Sequence, residues 1–152
     1  MSGMSDSKNR KSAGRKNRTA DFISLIQIVD QPITLHDIIN RVKTSDSGCV
    51  ATYVGLIRDN SHGHNVRSVE YRDEDGTARD KLIQLARELK EKWQINDIAI
   101  YHRVGVLNVG DINFLVAIAA GHRQEGFAAC AWAVDRFKES LPTKKIETYI
   151  EN

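Results

Sequence analysis

Apolar and polar positions along the chain change period several times, and each change marks an element. Phe22–Val29 predicts a first strand, stopped at Asp30-Gln31-Pro32 because proline cannot donate to a ladder. Thr34 is placed to cap a short helix, with Asp37 three residues on and Leu35, Ile38, Ile39 and Val42 as its buried face. After a polar break at Thr44–Ser47, Gly48–Ile57 is apolar on both parities, which predicts a central strand covered on both faces. It ends at Arg58-Asp59-Asn60 and leads into the polar loop Ser61–Asn65. Val66–Tyr71 predicts a strand of mixed polarity, followed by the acidic turn Asp73-Glu74-Asp75-Gly76. The clearest helix is Thr77–Trp93, with Ala78, Leu82, Leu85, Ala86, Leu89 and Trp93 along one stripe. Asp97–Val104 and Ile112–Ala120 predict two strands joined by a turn around Asn108-Val109-Gly110-Asp111. Gln124–Ser140 then repeats Phe127, Ala131, Val134 and, just beyond, Leu141 at helical steps, and Glu147–Ile150 predicts a last short strand.

Strands and helices are interspersed, yet the short strand-to-strand links after residues 57 and 104 demand antiparallel pairing. The expectation is therefore an α+β domain and not a doubly wound parallel sheet. There is no GxGxxG and no P-loop, so nothing points to a dinucleotide or a nucleoside triphosphate.

Charge is distributed unevenly. Residues 1–20 carry six cations against Asp6, a net of +5, so the rest of the chain has a net charge of −3. That stretch is rich in Ser, Gly and Asn and too poor in apolar residues to order itself, which makes 1–20 a disordered basic tail and 21–152 a single domain. A solvated or processed leader is favoured over a nucleic-acid arm. No apolar run has membrane-spanning length, and no secretory h-region follows the tail. Cys49 and Cys130 sit inside apolar runs as small core residues, pointing to a reduced, cytoplasmic protein. Cys130 has no activating neighbour in Ala128-Ala129-Cys130-Ala131, and His62-Gly63-His64 lacks partners at metal-ligand spacing. No metal and no cofactor is implied.

Lys138 falls four residues after Val134 and three before Leu141, in the middle of the stripe predicted for the last helix. Burying an ammonium is costly unless an anion or a lowered pKa compensates. The alternative is that the stem packs on the core while the charge escapes at the helix end, where the dipole welcomes it. Other cations cluster with it in the pattern. Arg58, His102-Arg103 and His122-Arg123 follow strand ends, and Lys145 lies seven residues past Lys138 around Pro142. In an acidic body this grouping suggests a pocket for phosphate or carboxylate, with arginine forks for binding and a lysine for chemistry.

These residues resemble a family. Gly55-Leu56-Ile57-Arg58, Val69-Glu70-Tyr71, His102-Arg103-Val104-Gly105 with Leu107 and Gly110-Asp111, Gly121-His122-Arg123 with Phe127, and Asp135-Arg136-Phe137-Lys138 with Pro142 and Lys145 look like the large, catalytic subunit of molybdopterin synthase, the MoaE family. The resemblance covers about residues 22–150.

It implies an α/β hammerhead-like domain with an additional antiparallel β subdomain, forming a homodimer. Each subunit would bind a small ubiquitin-like sulfur carrier, giving a heterotetramer. The carrier's C-terminal Gly-Gly thiocarboxylate delivers sulfur, and two transfers onto cyclic pyranopterin monophosphate make the molybdopterin dithiolene. The matching positions make Lys138 and Lys145 the catalytic pair, one near the thiocarboxylate or its developing oxyanion and the other as acid/base or electrostatic partner. A buried Lys138 would have the lowered pKa that proton transfer near neutrality needs. Arg58, His122 and Arg123 become anion-binding candidates.

Two segments depart from the family pattern. Tyr71-Arg72-Asp73-Glu74 stands for a Tyr-Glu-Ala-Tyr-like stretch, and Pro142-Thr143-Lys144-Lys145-Ile146-Glu147 stands for Pro-x-Trp-Lys-Lys-Glu. Lys144 thus adds an ammonium, a further anion-binding candidate, where an indole could have walled the pocket. The chain also ends at Asn152, before the family's usual Trp-containing end. A rival reading follows, in which a relative with altered or no turnover binds a ubiquitin-like tail or a phosphorylated metabolite in the same pocket. Nucleic-acid binding through the tail ranks last, because the body is acidic and offers no stacking platform.

Overall fold

A computed structural model describes residues 23–151, and the basic stretch 1–20 lies outside them. In chain order the elements are β1 (Ile26–Val29), α1 (Leu35–Val42), β2 (Cys49–Leu56), β3 (Asn60–Ser61), β4 (His64–Arg72), α2 (Ala78–Lys92), β5 (Asp97–Arg103), β6 (Gly105–Asn108), β7 (Ile112–Ala120), α3 (Arg123–Glu139) and β8 (Lys144–Tyr149). One four-stranded sheet runs β1-β5-β7-β2, antiparallel except for the parallel β1–β5 pair. A second, antiparallel sheet is built on β4, which pairs with β3, β6 and β8. This is the expected α+β class with an added antiparallel sheet.

Alternation along the strands divides the first sheet's contacts between two cores. Ile98, Ile100, Phe114, Val116 and Ile118 pack under α2 and α3, whereas Ala99, Tyr101, Leu115, Ala117 and Ala119 pack with α1. A third, smaller core of Ile57, Val66, Val69, Tyr71 and Leu107 lies within the second sheet.

Local signals mostly hold, with instructive shifts. The acidic turn caps α2: Asp73 accepts from the Ala78 N–H at 3.2 Å, and Asp75 accepts from the Thr77 N–H at 3.1 Å. Thr34 does occupy the cap position of α1, but its hydroxyl makes no capping bond. Asn108 does not simply turn β5 into β7. Residues 105–108 leave the first sheet as β6 and pair with β4, while β5 and β7 pair with each other directly. The last strand starts at Lys144 and not at Glu147.

The buried face of α3 is the main correction. Its buried residues are Gly126, Ala129, Cys130, Ala133, Val134 and Phe137, while Phe127 is 65% exposed and Ala131 and Lys138 are exposed. Residues 127–134 are apolar all round, so periodicity alone did not choose a face. Close approach to the sheet chose it. A Cβ on Gly126 would lie 3.2 Å from Cys49 Sγ and 3.4 Å from Ala51 Cβ, so the small residues turn inward and Phe127 turns out.

Candidate active site

The two sheets and the C-terminal end of α3 enclose a cleft of about 700 Å³. Arg58, Lys138 and Lys145 line it, together with Tyr53, Tyr71, Asn113 and Glu147. Backbone pairing on both sides holds the Arg58 segment. The Ile57 N–H donates to the Asp111 carbonyl at 3.0 Å, the Ile57 carbonyl accepts from Gly110 at 2.9 Å, and the Asp59 carbonyl accepts from Val66 at 2.9 Å.

Register places Lys145. In the β4–β8 ladder Tyr71 lies opposite Lys145 and Val69 opposite Glu147, and directly opposed residues share a face. All four line the cleft. The Lys145 ammonium sits 3.2 Å from Glu147 Oε1, which also accepts from Ser61 Oγ at 3.0 Å, while Glu147 Oε2 accepts from the Tyr149 hydroxyl at 2.6 Å. The Tyr149 bond leads these contacts in holding the Glu147 carboxyl below its ordinary range.

Lys138 is exposed, and its ammonium lies 5.6 Å from the centroid of the Tyr53 ring. Burial therefore does not prepare this lysine. The desolvation expected from a mid-stripe position falls away with the stripe itself, since Lys138 follows Phe137 just outside the buried face.

The other predicted cations go elsewhere. Lys144 is one residue out of phase with Lys145, does not line the cleft, and pairs with Glu74 at 3.5 Å. The tryptophan-to-lysine change therefore removes no wall of this cleft. His122 and Arg123 are exposed at the start of α3, about 24 Å from Lys138 at 1.5 Å per residue, and do not line the cleft. Arg103 lies 3.7 Å from Asp111.

His102 is not a strand-end cation but a core residue, fully buried. Burial is the main cause lowering its pKa below the ordinary imidazole value, against the Asn113 carbonyl and Asp73, which raise it. Its Nδ1 lies 2.8 Å from the Asn113 carbonyl and its Nε2 2.8 Å from Thr143 Oγ1. Cys130 is also set aside as a nucleophile, since burial pushes its thiol up to about 11. His64, from the HxH pair, packs its ring on Tyr149 at 4.8 Å.

Sequence reasoning missed Tyr53, Asn113, Thr143 and Glu147. Glu147 had a usable signal, its two-residue spacing from Lys145 in a strand. A Cβ on Gly55 would lie 2.8 Å from Asn113 Oδ1, so a side chain there would push Asn113 from the place where its Nδ2 donates to the Tyr71 hydroxyl at 3.0 Å. A smaller cleft of about 200 Å³ between α2 and α3 contains none of the three cleft cations.

A family model described as MoaE protein matches residues 28–140, most of the chain. The chain belongs to the MoaE family. The match includes Arg58, His122, Arg123 and Lys138 and stops before Lys145. A molybdopterin synthase catalytic subunit of Nostoc sp. (strain PCC 7120) is 37% identical over 117 residues, 76% of this MoaE-family chain and 71% of that protein. Another, of Bacillus subtilis (strain 168), is 31% identical over 123 residues, 81% of this chain and 78% of that protein. The crystal structure of molybdopterin synthase from Staphylococcus aureus superposes with a TM-score of 0.78 at 30% identity, over 84% of this chain and 93% of that one.

Proposed function

We propose that this chain is a molybdopterin synthase catalytic subunit, transferring sulfur from a carrier's C-terminal thiocarboxylate to cyclic pyranopterin monophosphate. The observation that carries this reading is that Arg58, Lys138 and Lys145, distant in sequence, line one cleft. Its volume of about 700 Å³ suits a small molecule together with the end of a peptide.

Both reactants are anionic, so the cleft must hold negative charge without sealing itself from an incoming chain. Arg58, exposed at the end of β2, offers a planar fork for the substrate phosphate. Lys145 sits on a strand whose face is set by the ladder, and its role in this reading is to stabilise the oxyanion that forms at the acyl carbon. The thiocarboxylate sulfur bonds to a pterin carbon as a carbon–oxygen bond of the precursor breaks, giving a thioester. Water then adds to the acyl carbon, the acyl–sulfur bond breaks, the sulfur stays on the pterin and the carrier leaves as a carboxylate. Lys138, exposed near Tyr53, serves as the electrostatic partner.

The partners in this reading are a small ubiquitin-like carrier and a second copy of the chain. Because α3 separates His122 and Arg123 from the cleft of their own chain, a homodimer is the arrangement that lets them serve one. The compartment is the cytoplasm, in keeping with two free cysteines. Among the described residues no helix is long and apolar enough to cross a membrane.

The test combines thiocarboxylated carrier and pterin precursor and detects dithiolene. Lys145→Ala should lower kcat on the order of 10²–10³-fold, the scale of losing one oxyanion donor, with unchanged folding. Wild-type turnover in that variant would sink the assignment. Carrier binding without product from the native protein would favour the binding-only reading.

A further inference from the structure

We propose that His102 and Thr143 are positioning residues, a buried pair that holds the two cleft lysines in register with each other. The tautomer follows from the partners. A carbonyl oxygen can only accept, so the bond to Asn113 O requires the proton on Nδ1. In the neutral ring Nε2 is then an acceptor, and the Thr143 hydroxyl donates to it. Full burial and the lowered pKa agree with a neutral imidazole.

This ring touches the neighbours of both lysines. Thr143, only 8% exposed, precedes Lys145 by two residues in the segment that enters β8. Phe137, immediately before Lys138, meets the imidazole edge-to-face at 5.1 Å and 78°. Tyr71, the ladder partner of Lys145, meets it at 4.9 Å and 81°. One side chain from β5 thus fixes the end of α3, the start of β8 and the strand beside it. Lys138 and Lys145 are themselves on exposed positions, so their placement depends on this layer beneath them. Thr143 occupies the unspecified position of the Pro-x-Trp-Lys-Lys-Glu pattern, so the bond is a property of this chain and not of that motif.

The activity arm of the test rests on the sulfur-transfer reading, and a spectroscopic arm does not. Thr143→Val keeps the shape and removes the hydroxyl, whereas Thr143→Ser keeps the donor. In an active enzyme, Thr143→Val should lower kcat on the order of tenfold while the KM for the pterin stays about the same, and Thr143→Ser should recover most of the loss. Lysines carrying ¹³C-methyl labels, with Lys145 assigned through Lys145→Arg, should show the Lys145 resonance displaced in Thr143→Val and restored in Thr143→Ser. An unchanged kcat in Thr143→Val overturns the proposal, whatever the melting temperature does. If the native protein makes no dithiolene, the functional reading fails separately. The lysine resonance then decides positioning alone: displaced supports it, unmoved overturns it.

Discussion

Phe137→Leu tests the aromatic packing at the base of the cleft, which Phe137 both supports and lines. Phe137 is 4% exposed, stacks on Phe114 with centroids 3.6 Å and planes 3° apart, and meets His102 edge-on at 5.1 Å. Leucine replaces most of the buried apolar surface but neither ring contact. The edge-on His102 contact contributes about 0.5–1.5 kcal/mol beyond area burial. Replacing the flat ring stacked on Phe114 by a branched side chain costs a further ~0.5–1.5 kcal/mol in packing, which predicts a destabilisation of about 1–3 kcal/mol. In a domain of this size each kcal/mol lowers Tm by about 2–4 °C, which gives a fall of about 2–12 °C. Urea unfolding should show a lower midpoint with an unchanged slope, since the unfolded chain exposes the same surface. Because Phe137 directly precedes Lys138, the variant should also lose turnover, but less than Lys145→Ala. A stability change below about 0.5 kcal/mol, the size of an ordinary surface substitution, would refute the idea that this stack anchors the end of α3.

Two further outcomes follow from burial and phase. Below about pH 6.5, the ordinary imidazole value, the unfolded chain takes up a proton that buried His102 resists, so stability present above that pH is lost as it falls toward the lowered folded value. Glu147 adds a second loss beginning near its ordinary value of 4.5, and a urea midpoint that stays flat from pH 7.5 to 4 would contradict both. Lys144→Ala removes only an exposed ion pair with Glu74 on the far face of β8, so stability should change by no more than about 0.5 kcal/mol and dithiolene formation should persist. A large loss of turnover would show that Lys144 does reach substrate.

How far a site could be read depended on how its residues are carried. Lys145 and Arg58 belong to short motifs whose local order survives folding, and both line the cleft. His102 was legible as a motif residue but not as a buried neutral base. Its surroundings come from Asn113, Thr143, Tyr71 and Phe137, which are far apart in the chain. Strand β6 was hidden for a related reason. Four residues with one buried position, Leu107, carry too little pattern to reveal that they leave one sheet for another.

By itself the sequence determined the class of the domain, the identity of its family and which cations could matter. Hydrophobic period and motif order are local properties, and they survive without knowledge of contacts. Only the tertiary structure decided which of those cations meet. Strand phase turned Lys145 into the cleft and Lys144 out of it, and the length of α3 kept His122 and Arg123 from Lys138. The same packing that required small residues against β2 rotated α3 and left Lys138 in solvent. A helix apolar on nearly every side has no preferred face until a neighbouring surface selects one by fit.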